Sequence, residues 1–127
     1  LPNRMGGKYC RGATEEEIAF ILHGVGCRFC LDIGHAVCSA NSQGSDPYTF
    51  IGRLMQLSPC MFHLSDVSDM SSPYDSHPHL GTGELILSRL TETVFPPDAR
   101  ISVETDKDDP DSLADFVRDV QCLKNLF

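Results

Sequence analysis

The chain has 127 residues, 41% of them hydrophobic, and sets 18 acidic against 10 basic side chains for a net charge of −8. This composition fits one modest domain over residues 1–127 and excludes disordered, fibrous and collagen-like classes. No apolar run is long enough to span a membrane, no secretory leader is recognisable, and no Lys/Arg cluster offers a surface for duplex DNA. The expected setting is cytoplasmic, with no membrane partner and with nucleic acid less favoured than a small molecule.

The chain opens on Leu1, and Leu1-Pro2-Asn3-Arg4 reads as the tail of a segment already under way, so a fragment or processed product is expected. No role for Asn3 or Arg4 follows from their types. Thr14-Glu15-Glu16-Glu17 is a capping-box pattern, followed by Ile18, Ile21, Leu22 and Val25 at helical spacing before Gly24 and Gly26. Arg28 to His35 then reads as a strand in which Leu31 and Ile33 share one face and Asp32 takes the other.

Asp46-Pro47 places a capping acid before a proline suited to a first helical turn, and Phe50, Ile51, Leu54 and Leu57 make an apolar stripe behind it. After the short link Ser58-Pro59, Cys60 to Asp66 reads as a second strand, with Phe62 and Leu64 opposite His63. Ser65 to Gly83 is a long polar connection holding Asp66, Asp69, Asp75, His77 and His79, a length unusual unless the segment works. Gly81 and Gly83 give it the freedom for a tight turn or for close backbone approach to a substrate. Leu87, Leu90 and Val94 mark a short helix. Arg100 to Thr105 is a third strand with Ile101 and Val103 opposite Glu104, and Asp109-Pro110 opens a last helix carrying Leu113, Phe116, Val117, Val120 and Leu123. These helical stripes are expected to be core.

Six cysteines, with no signal peptide, are expected to be reduced. Cys27-Arg28-Phe29-Cys30 has C-x-x-C form, but a strand would set its sulfurs on opposite faces and no second pair exists. His23 is expected to serve a helix end and His79 to be a loop histidine.

Strands alternating with helices build an α/β fold with a parallel sheet and right-handed crossovers. Links from helix to strand are short and those from strand to helix are long, which places the site on the rim after the strands. Asp32, His63 and Glu104 converge there. Two carboxylates and an imidazole suit a divalent ion such as Mn, Mg or Zn, and leave coordination positions for sugar oxygens. Such an ion polarises a carbonyl and stabilises an enediolate.

Leu31-Asp32-Ile33-Gly34-His35-Ala36, Phe62-His63-Leu64-Ser65-Asp66, Asp75-Ser76-His77-Pro78-His79-Leu80-Gly81-Thr82-Gly83 and Ser102-Val103-Glu104-Thr105 resemble, in order, the last strands of the xylose isomerase-like barrels. That superfamily includes sugar isomerases and epimerases and the endonuclease IV group. The resemblance implies the C-terminal half of a (β/α)8 TIM barrel. It also implies a catalytic metal on Asp32, His63 and Glu104, with a fourth ligand, a glutamate, upstream of Leu1, and in the epimerase branch Glu104 and that glutamate would be the proton-transferring acid and base.

By the same resemblance His35 is a second-metal ligand in the nuclease branch and a catalytic, substrate-binding group in the epimerase branch. Asp75 and His77 hold another metal in the nuclease branch. A whole barrel takes about 250 residues, so the inner face at Cys30, Met61 and Ser102 would need an N-terminal half-barrel or a second copy as a homodimer. The expected function is a metal-dependent isomerase or epimerase of a small sugar or sugar phosphate, favoured by the acidic composition. The alternatives are an endonuclease IV-like hydrolase with a multi-zinc site, kept open by Asp75-x-His77 and the lack of arginine between Arg53 and Arg89, or an inactive remnant of either.

Overall fold

A computed structural model describes residues 11–127, the side chains of Glu92 and Thr93 excepted, together with the backbone of Arg4–Met5 and Lys8–Tyr9. Leu1-Pro2-Asn3 and Cys10 lie outside the described residues. Strands β1 (Arg4–Met5) and β2 (Lys8–Tyr9) pair antiparallel.

Helix α1 (Glu15–Val25) starts where its capping pattern predicts. The Thr14 hydroxyl accepts from the Glu17 N–H at 3.2 Å, and the Glu17 carboxylate reaches back to the N–H groups of Gly12 and Ala13. Its end is a glycine in the left-handed region, Gly26 at φ 61°, where residues with a Cβ are disfavoured. No residue of α1 is buried, and Phe20, Ile21 and Val25 are exposed.

Strands β3 (Cys30–Asp32), β4 (Met61–Leu64) and β5 (Ile101–Val103) form a parallel sheet in sequential order, with Asp32 opposite His63 and His63 opposite Ser102. Alternation works as expected on the covered side, where Leu31, Phe62 and Leu64 are buried. Cys30, Asp32, Met61, His63 and Ser102 lie on the other face and are only half buried. The crossovers carry α2 (Ile33–Ser42) and α3 (Pro47–Met55), then α4 (Leu87–Thr93), and α5 (Ala114–Lys124) follows β5. Ile33, Val37, Phe50, Ile51, Leu54 and Leu90 pack with the sheet residues into one core. Among the described residues no helix is long and apolar enough to cross a membrane.

Three expectations need correcting. The run Arg28 to His35 does not continue as a strand: β3 stops at Asp32, whose carboxylate accepts the His35 N–H at 2.9 Å and caps α2. Ile33 is core as a helical residue, because Ile33, Ala36, Val37 and Ala40 form the buried face of α2. The last helix begins at Ala114 and not at Asp109-Pro110, which belongs to the preceding turn.

Its apolar stripe is split: Leu113, Val117 and Val120 are exposed, Phe116 is half buried and Leu123 packs against the core, while Asp115 and Asp119 are buried. Those two carboxylates turn inward because backbone N–H donors wait for them: Asp108 and Phe116 for Asp115, and Leu80 for Asp119.

Candidate metal centre

The register of the sheet brings the three strand-end ligands together. Asp32 ends β3, His63 pairs beside it on β4, and Glu104 follows β5, held by its N–H to the Leu64 carbonyl at 2.9 Å. His63 Nδ1 lies 2.9 Å from Glu104 Oε1 and 3.9 Å from Asp32 Oδ2. One ligand atom from each falls within 4.8 Å of the others. The side chains are 18% (Asp32), 32% (His63) and 39% (Glu104) exposed, so the group is reachable from solvent.

A second group stands against the first. His35 projects from the first turn of α2, and its Nε2 is 2.8 Å from Asp75 Oδ2, while His77 Nε2 is 2.9 Å from the same oxygen. His77 Nδ1–H donates to the Glu104 carbonyl at 2.7 Å, which fixes the tautomer and presents Nε2 to the group. His35 Nδ1 is 3.2 Å from Asp32 Oδ2, so Asp32 touches both groups. Each set offers three nitrogen or oxygen donors, the number that leaves a zinc-class ion at least one open position.

Electrostatics in the second group favour the charged forms. Burial pushes the Asp75 carboxyl up, but hydrogen bonding and charge from His35 and His77 outweigh it and hold the group below its usual range. Burial pulls His77 down, and its bond to the Glu104 carbonyl with the adjacent Asp75 reverses this, leaving it above the ordinary histidine range.

The segment Ser65 to Gly83 holds its shape through contacts that no local pattern announced. Asp66, fully buried, accepts four backbone N–H groups: Val67 and Leu85 through Oδ1, Gly81 and Gly83 through Oδ2. The Asn41 amide donates to the carbonyls of Met70 and Ser72, and Asp106 N–H donates to the His77 carbonyl. The N–H groups of Gly81 and Gly83, whose freedom suits a tight turn or close approach to a substrate, donate to Asp66, and these residues shape the loop.

Gly34 was also missed as a site residue. A Cβ there would lie 3.3 Å from Ser65 Oγ and in ordinary contact, 3.6 Å, with oxygens of both Asp32 and Asp75, so Gly34 stands between the two groups. The five described cysteines are free thiols.

The fold and site define a mixed α/β protein with a three-stranded parallel sheet and two possible metal-binding groups at the ends of its strands. No protein-family model, curated protein or solved structure matches the chain.

Proposed function

We propose that this chain is the C-terminal half of a xylose isomerase-like barrel and that it carries the metal centre of a hydrolase acting on a phosphoester of a sugar, the endonuclease IV type of chemistry. The observation behind this choice is the second group. The ion expected of the isomerase reading sits on Asp32, His63 and Glu104, whereas His35, Asp75 and His77 form a further three-donor set that touches the first through Asp32. The sequential parallel order of β3, β4 and β5, and the half-exposed ligand face, support the barrel reading.

Two adjacent dications would supply Lewis-acid polarisation of a phosphoryl oxygen and a clamp on an in-line displacement. The chain's own residues supply the rest. Asp32, through its cap on α2 and its place beside His35, sets the spacing of the two groups. The Glu104 carboxylate is the most open ligand, and its Oε1, now against His63 Nδ1, is the atom that would accept or return a proton. The Glu104 carbonyl holds the His77 ring in place.

The isomerase or epimerase reading keeps one observation in its favour, the net charge of −8, which deprives an extended DNA surface of cations. Metal analysis separates the two. The hydrolase reading expects two or more zinc ions in the intact polypeptide, cleavage of a duplex containing one abasic site, and loss of both cleavage and one ion in His77→Gln. A single ion that His77→Gln leaves in place, with epimerisation of a ketose and no cleavage, would overturn it.

A further inference from the structure

We propose that His79, Asp108 and Asp115 form a separate site for a zinc-class divalent cation, which fastens the Ser65–Gly83 segment to the start of α5. The site shares no residue with the two groups above. His79 Nδ1 donates to Asp119 Oδ2 at 2.7 Å, and the same buried carboxylate accepts the Leu80 N–H at 2.9 Å and the Thr105 hydroxyl at 2.5 Å. Asp119 is therefore an acceptor on both oxygens, and it holds the ring proton of His79 at Nδ1. A carboxylate behind a histidine is the arrangement that orients an imidazole toward a metal.

The far nitrogen faces a carboxylate without forming a hydrogen bond to it. His79 Nε2 is buried and makes no hydrogen bond, although Asp108 Oδ1 lies 3.2 Å away. With the ring protonated the contact is an ion pair, and a dication between Nε2 and Oδ1 replaces that proton with two bonds. Asp115, 3% exposed, completes the set, with one atom from each of the three within 4.8 Å of the others. Its oxygens also accept the N–H groups of Asp108 and Phe116.

Two cationic side chains already stand nearby. Lys107 Nζ is 3.6 Å from Asp115 Oδ1, lies over the Phe116 ring and donates to the Ser112 carbonyl, while Arg118 pairs with Asp108 Oδ2 at 3.2 Å. A dication displaces the Lys107 ammonium from Asp115 and leaves the Arg118 contact in place. One imidazole nitrogen and two carboxylate oxygens are a donor set that zinc accepts, with a position left for water.

The probe is zinc chloride alone, with bound zinc counted by elemental mass spectrometry after desalting. The background is the full chain with His63→Gln and His77→Gln, which takes one ligand from each of the other groups. That variant is expected to keep about one zinc per chain, and adding Asp108→Asn or His79→Gln should release it. The Asp108 side chain is 62% exposed, so its replacement leaves the core untouched. No zinc in the background variant, or zinc that both further substitutions leave in place, would overturn the site. The fate of the proposed hydrolase centre is read separately, from the zinc lost between the unaltered protein and the background variant.

Discussion

Replacing Asp66 by Asn tests whether one buried carboxylate organises the segment that carries Asp75 and His77. Its Oδ1 accepts from Val67 N at 2.8 Å and Leu85 N at 3.0 Å, and its Oδ2 from Gly81 N at 2.8 Å and Gly83 N at 3.0 Å. A carboxamide keeps one acceptor oxygen and sets an NH2 group against the other pair of donors, so two of the four bonds are lost whichever way it turns. An unsatisfied buried donor costs about 1–3 kcal/mol, which makes the expected loss about 2–6 kcal/mol. If the NH2 turns toward Gly81 and Gly83, whose donors are less buried than the other two, the loss falls at the low end. Against a total of about 5–15 kcal/mol for a domain, this is a large share.

Urea unfolding followed by far-ultraviolet circular dichroism measures it, with an unchanged m-value showing that stability and not compactness was altered. Metal affinity at His35, Asp75 and His77 should weaken with it, because Gly81 and Gly83 close the segment holding two of the three. A variant within about 0.5 kcal/mol of the unaltered protein, the range of an ordinary surface change, would refute the reasoning.

Gly83→Ala attacks the same junction from the other side: its Cβ would meet the Val67 carbonyl at 2.3 Å and Asp66 Oδ1 at 2.6 Å, so the loop must shift and the urea midpoint must fall. Combined with Asp66→Asn, the two losses should fail to add by about 0.5–3 kcal/mol, and strict additivity in a double-mutant cycle would separate the residues. Phe62→Ala empties a site that is 1% exposed and in edge contact with Phe95 at 4.9 Å, and should cost about 3–5 kcal/mol in the same assay; under about 1 kcal/mol would show that β4 is not the centre of the core. Burial pushes the Cys38 thiol up to about 11, so at pH 8 iodoacetamide should label exposed Cys27 and spare Cys38 until the chain unfolds; equal labelling by peptide mapping would contradict the burial.

Strand alternation was legible in the chain itself, since a side chain's face depends only on its neighbours in a strand, and that is why Asp32, His63 and Glu104 could be assigned to one face without coordinates. Capping worked equally well at Thr14 and Asp46, where the bond partner lies three residues away. The same locality misled at Ile33: Leu31-Asp32-Ile33 alternates like a strand, and only the Asp32 cap on the His35 N–H shows that a helix begins there.

Whether His35 meets Asp75, 40 positions along the chain, depends on how a polar segment closes, and that closure is set by Asp66 and Asn41 contacting backbone far from themselves. The orientation of α5 was decided the same way. An apolar stripe gains by burial only if a surface is there to receive it. Here the backbone donors of other segments and the His79 ring drew Asp115 and Asp119 inward instead. Periodicity is a property of adjacent residues, whereas the partner of a buried charge is a property of the folded whole.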